Sequence, residues 1–164
     1  MWATFPNIGE ALKVMESWGF QYKTAAFVWV KKYAKSGKNF FGMGAYTRSN
    51  AEVCLIGITP KLKAKEWVRS HSVRQIVESP VEEHSKKPDV VRDLIVELFG
   101  DKPRIELFAR QRADGWDAWG NEVPSETQTF ILVLRCWDIC KELEQQALTC
   151  QVGRYHHLAQ PKEA

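Results

Sequence analysis

Three runs dense in β-branched and aromatic residues, "YKTAAFVWVKK" (22–32), "AEVCLIGIT" (51–59) and "RIELFAR" (104–110), alternate with two segments of helical period. Such side chains suit a pleated, half-buried surface, so each run predicts a strand. In "GEALKVMESWGF" (9–20), Ala11, Leu12, Met15 and Trp18 share one helical face and Gly19 supplies a stop. In "KKPDVVRDLIVELFGD" (86–101), Pro88 lies in the first turn and Asp89 near the start. Val91, Ile95 and Leu98 fall on one face, and Gly100 ends the helix. Strand and helix alternate, which predicts an α/β class with a largely parallel sheet. "RIELFAR" is nearly continuous in apolar residues, as a strand covered on both faces requires.

The remaining segments are read from the same rules. "MWATFPN" reads as the end of a strand whose beginning is not present. "PKLKAKEWVRSHSVRQIVESPVEEHS" (60–85) is polar and punctuated, and reads mostly as loop. "SETQTFILVLRCWDICKELEQQAL" (125–148) reads as a final helix, with Ser125 and Gln128 at capping-box spacing. Its apolar face, Phe130, Val133, Leu134 and Trp137, is expected to dock on its own domain, with a frayed polar tail beyond Gly153.

A length of 164 residues allows one domain with a real core. The four cysteines (Cys54, Cys136, Cys140, Cys150) form no CxxC, and the four histidines make no metal-ligand spacing with them. Buried free thiols in a reducing compartment and no metal are the expectation. No stretch has the length of a membrane span or the form of a signal peptide, so a cytoplasmic location is expected. A net charge of +3 is compatible with a nucleic-acid partner without pointing to one. The local basic runs "KKYAKSGK" (31–38), "KLKAK" (61–65, with Lys61, Lys63 and Lys65) and "HSKKP" (84–88) suit phosphate contact or a solvated surface equally well.

The densest chemistry lies in "RIELFARQRADGWDAWGNEV" (104–123). Ligands of α/β sheets sit beyond the carboxyl ends of strands, and "LFARQR" lies at such an end. There Phe108 could cover a flat heterocycle and Arg110 could meet a carboxylate. Trp116 and Trp119 serve either a ligand or the core, the core being the more usual use of Trp. The Asn121 amide suits ribose hydroxyls or an adenine edge. "GMG" (42–44) falls short of GxGxxG because Thr47 stands at the last position, so it reads as a flexible loop. Glu52 fits a polar substrate group or a solvated strand edge. Lys87 sits where a cation opposes a helix dipole, which fits an exposed lysine or one recruited for an anion. Glu82 and Glu83 read as solvated rather than as a catalytic pair.

Four blocks, "MWATFPNIGEALKVMESWGFQYKTAAFVWVKK", "FFGMGAYTRSNAEVCLIG", "SPVEEHSKKPDVV" and "RIELFARQRADGWDAWGNEV", together resemble the MT-A70 family of adenine N6-methyltransferases, in family order over residues 1–123. The likeness is greatest to its phage and bacterial branch. The resemblance implies a Rossmann-like, S-adenosylmethionine-dependent methyltransferase fold in permuted order, incomplete at the N-terminus. It implies a partial methyltransferase domain over 1–123 and a helical extension and tail over 124–164. The substrate implied is adenine in DNA, ahead of RNA. Cofactor contacts are implied for Lys87, at the methionine carboxylate, and for Phe108, Arg110, Asn121 and Glu122, at the adenosine and ribose. Glu106 has a supporting place in the same strand. Tyr46, Arg48, Asn50 and Glu52 are implied near the target base.

One departure is large. The family signature Asp-Pro-Pro-Trp is absent, since no two of the seven prolines are adjacent, so no catalytic residue is assigned. An arylamine lone pair is delocalised into its ring, and that signature accepts the amine's hydrogen bonds and aligns it with the donor. The strand before it belongs between the "IELFA" and "MWATF" strands, so either those strands close up, a second chain completes the sheet, or the fold is unstable. Little or no activity of this chain alone is therefore expected. The alternatives are a non-catalytic nucleic-acid-binding or scaffold subunit and a decayed gene fragment.

Overall fold

A computed structural model describes residues 1–60 and 62–124, without the side chains of Ala64 and Lys65. The expected final helix, its Ser125 and Gln128 cap, its apolar face, the tail, and Lys61 of the basic run lie outside the described residues, as do Cys136, Cys140 and Cys150. The chain divides into two compact units, Met1–Pro103 and Arg104–Ala164.

The first unit is built on a four-stranded sheet in the order β1-β3-β2-β4: β1 is Trp2–Ala3, β2 Gln21–Lys32, β3 Ala51–Ile58 and β4 Ile76–Pro80. A helix α1 (Ile8–Ser17) follows β1 after a 3₁₀ turn at Phe5–Asn7. The short α2 (Ala64–Trp67) follows β3, and α3 (Val90–Phe99) follows β4. The α/β class is as expected, but the largely parallel sheet is not. β3 runs antiparallel to both β1 and β2, and only β2 and β4 pair in parallel. The reason lies in the connections. Residues 33–50 carry no helix to return the chain to the starting end of β2, so β3 comes back antiparallel.

Alternation along β3 divides the core. Val53 and Leu55 face α1 with Ala3 and Met15, and Ile8, Ala11 and Leu12 pack against them. Cys54 faces the other way with Phe27, Val77 and Val91, and Leu94, Ile95 and Leu98 of α3 close that side. Trp18 departs from its expected place on the helix's inner face. It sits at the C-cap, half exposed, because α1 ends at Ser17. Gly19, with φ +78°, takes the left-handed position, and the amides of Gly19 and Phe20 close back on the carbonyls of Glu16 and Met15. Cys54 is a buried free thiol, and burial pushes its pKa up.

The second unit, as far as it is described, is a two-stranded parallel pair, β5 (Ile105–Leu107) and β6 (Asp117–Trp119). Ala109, Ala118 and Val123 form its small buried centre. Two strands were not expected, β4 inside the segment read as loop and β6 inside the loop after "RIELFAR".

Candidate functional site

In the first unit β1, β2 and β4 run in the same direction, so their carboxyl ends and the beginning of β3 share one edge of the sheet. That edge holds a cluster of charge and aromatic rings. Glu52, the second residue of β3, registers opposite Trp29. Its diagonal neighbour on the same face is Lys31. The chain entering α3 brings Lys87 to the same carboxylate. Lys31 Nζ donates to Glu52 Oε1 at 2.6 Å, and Lys87 Nζ donates to Glu52 Oε2 at 2.5 Å. Each ammonium also lies against an indole, Lys31 5.1 Å from the Trp29 ring and Lys87 5.9 Å from Trp2. The two indoles meet edge to face at 6.4 Å, and Trp29 Nε1 donates to the Ser79 carbonyl at 3.2 Å.

Glu52 is 8% exposed, so it is no solvated strand edge. Burial alone would push its pKa up; the hydrogen bonds and charges of Lys31 and Lys87 outweigh that and hold it below the usual carboxylate range. Lys87 does not oppose the α3 dipole freely. Asp89 is the N-cap residue, and Lys87, two residues earlier, faces the carboxylate instead.

An open cleft of about 550 Å³ borders this cluster. Glu52 and Lys87 stand on one side of it, Glu10, Ala11 and Val14 of α1 on the other, and Trp2 and Ala3 run between them. Met1 and Leu55 exchange both backbone hydrogen bonds, at 2.8 and 2.7 Å. By antiparallel alternation the N–H and C=O of Trp2 therefore point away from β3, toward the cleft. The other residues expected near a substrate base are spread out. Tyr46 is 101% exposed and Arg48 is exposed, both in the loop between β2 and β3. Asn50 is half-buried, its carbonyl accepting from the Lys31 amide at 2.9 Å. Lys31 was not expected; it was hidden in a basic run, and only the β2–β3 register reveals it.

In the second unit the loops leaving β5 and β6 are bound together. The Ala109 amide donates to the Trp119 carbonyl at 2.9 Å. Arg110 Nε donates to Glu122 at 3.3 Å, and Arg112 donates to the Pro124 carbonyl at 2.8 Å. Gly120 permits the approach, since a Cβ there would lie 2.2 Å from the Ala109 carbonyl oxygen. Phe108, Arg110, Asn121 and Glu122 are thus gathered at the carboxyl end of one parallel strand pair, all exposed. Phe108 has φ +60°, a left-handed conformation that is rare for a bulky side chain, and 68% of its surface is exposed. Its ring meets Trp119 edge to face at 5.5 Å. Trp116 lies under the Arg104 guanidinium, 5.5 Å from ring to cation. Glu106 lies in β5 opposite Ala118. Among the described residues no group of His, Cys, Asp or Glu could hold a metal, and no helix is long and apolar enough to cross a membrane.

A family model described as MT-A70 matches residues 1–122. The chain belongs to the MT-A70 family. The chain is 40% identical over 124 residues to the Type II methyltransferase M.MunI of Mycoplasma sp, covering 76% of this chain and 49% of that protein. It is 25% identical over 130 residues to a putative N(6)-adenosine-methyltransferase MT-A70-like protein of Medicago truncatula, covering 75% of this chain and 20% of that one. A 51-residue stretch, 30% of this chain, is 39% identical to the N6-methyladenosine RNA methyltransferase MTA1 of Pyricularia oryzae, of which it covers 13%. The chain spans half or less of the length of each of these relatives.

Proposed function

We propose that the chain carries the donor-binding and base-facing parts of an S-adenosylmethionine-dependent adenine N6-methyltransferase, built on a Rossmann-like fold in permuted order and working on DNA in the cytoplasm. The observation that carries this reading is the loop pair after β5 and β6. An aromatic ring stands exposed in a strained backbone conformation beside Arg110, Asn121 and Glu122, and such strain concentrates where a ligand is held. No glycine-rich cradle accompanies it, which suits an adenosine-type ligand without a pyrophosphate.

S-adenosylmethionine, when bound, supplies the methyl group. In this reading the Phe108 ring covers the adenine face, Asn121 and Glu122 hold ribose hydroxyls and the adenine edge, and Arg110 is oriented by Glu122. For Lys87 the family resemblance alone suggests the donor's carboxylate as partner, and Glu52 holds its ammonium in place. Glu52, Asn50, Arg48 and Tyr46 face the target base. DNA is preferred to RNA because identity is 40% to a bacterial Type II methyltransferase and 25% to a plant protein named for N(6)-adenosine.

The 164 residues contain no Asp-Pro-Pro-Trp. The groups that would draw the amine lone pair toward the methyl are therefore not among them, and the chain alone is proposed to bind donor without turning over. Calorimetric titration with S-adenosylhomocysteine, paired with a labelled-donor assay on unmethylated DNA, tests both halves. Binding weakened by Phe108→Ala and by Lys87→Met, without methyl incorporation, is the expected result. Turnover by the isolated chain, or no binding at all, would overturn it.

A further inference from the structure

We propose that Trp119 is a positioning residue that sets the Phe108 ring upright before any ligand arrives. The inference rests on the donor-binding reading of the β5–β6 loops and goes beyond it, because Trp119 itself is not taken to touch the donor. Left to itself, a phenylalanine with φ +60° would relax toward the extended or right-handed regions. Among the described residues, two contacts oppose that relaxation, and both come from Trp119. Its carbonyl accepts the amide of Ala109, the residue directly after Phe108, at 2.9 Å. Its indole meets the Phe108 ring at 5.5 Å with the planes 72° apart, the edge-to-face geometry that aromatic quadrupoles favour.

The backbone part of this clamp is anchored from below. Leu107 and Trp119 register opposite each other in the parallel pair, Ala109 and Ala118 are buried, and Gly120 lets the two segments touch. The indole is half-buried while the phenyl ring is mostly exposed. Trp119 is therefore the fixed member of the pair and Phe108 the presented one. A ring already standing costs less ordering on binding than one that must be recruited, so the indole contributes to affinity through preorganisation.

The test is a double-mutant cycle on the full 164-residue chain, titrated with S-adenosylhomocysteine. Trp119→Leu keeps the backbone bond and removes the indole; it is expected to weaken binding by about two- to twelvefold, the range an edge-to-face pair supports. Trp119→Phe retains an aromatic partner and recovers most of that loss. In a Phe108→Leu background Trp119→Leu has no further effect, whereas an indole that merely supports the fold would weaken binding by the same factor in both backgrounds. If Trp119→Leu loses its cooperative melt, Trp119→Met takes its place in the cycle. Unchanged affinity for the single variant, or additive effects in the cycle, would overturn the inference while leaving donor binding intact. A wild-type chain that binds no S-adenosylhomocysteine would instead remove the reading beneath it.

Discussion

Glu52→Gln keeps the shape of the side chain and removes its charge, which makes it the sharpest probe of the cluster at the sheet edge. In the native chain two ammonium groups sit 2.5 and 2.6 Å from one carboxylate. With glutamine, one lysine at most finds a carbonyl oxygen, and the other faces an amide N–H. Removing one partner of a fully buried pair costs about 3–5 kcal/mol. Lys31 and Lys87 keep 18% and 32% of their side chains in water, so part of that cost is recovered by solvation. We expect a loss of about 2 kcal/mol at pH 7, which moves the urea midpoint by about 1 M for a slope of about 2 kcal/mol per M.

The pH dependence gives the decisive signature. A carboxyl held below its ordinary value of 4.5 contributes stability in full above that value and loses it as pH falls through the folded pKa. The gap between wild type and Glu52→Gln should therefore be constant at neutral pH and close below pH 4.5. Urea titrations of both chains between neutral and acid pH measure it directly. A variant as stable as wild type at pH 7, or a gap that persists unchanged into acid, would refute the argument.

Phe108→Gly should change stability by less than about 1 kcal/mol, because relief of the left-handed strain offsets the lost ring contact and the freer unfolded chain, while S-adenosylhomocysteine binding is lost. Paired thermal melts and titrations check both. Gly120→Ala places a Cβ against the Ala109 backbone, which cannot yield as a side-chain tip would. A cost of about 1–3 kcal/mol and faster hydrogen exchange at the Ala109 amide are expected. Phe27→Ala empties the most deeply buried large side chain among the described residues and should cost about 3–5 kcal/mol by denaturant unfolding.

The strands and helices that sequence discloses here are those whose apolar pattern is long. β2, β3 and α3 each carry enough periodic side chains to declare themselves. β4 has five residues, only Ile76 and Val77 of them aliphatic, and ends in a proline; it is a strand because β2 offers it a parallel partner from Val28 to Lys32. β6 is three residues long and exists by pairing with β5. The site divides in the same way. Lys87, Phe108 and Arg110 stand out by type and place, but Lys31 looks like any other member of a basic run until register sets it beside Glu52. Trp119 resembles a core residue, and its relation to Phe108 depends on a backbone angle that no residue pattern announces.

The Lys31–Glu52–Lys87 cluster has an uneven charge count. One carboxylate between two ammonium groups leaves a surplus of one positive charge within the cluster, beside an open cleft whose other wall carries the Glu10 carboxylate. A ligand bearing a single carboxylate would bring that count to zero and complete a run of alternating signs, the order that partly buried charges reward. A dianionic group would overshoot it. Taken alone, the signs of these three side chains favour a monoanionic group over a dianionic one.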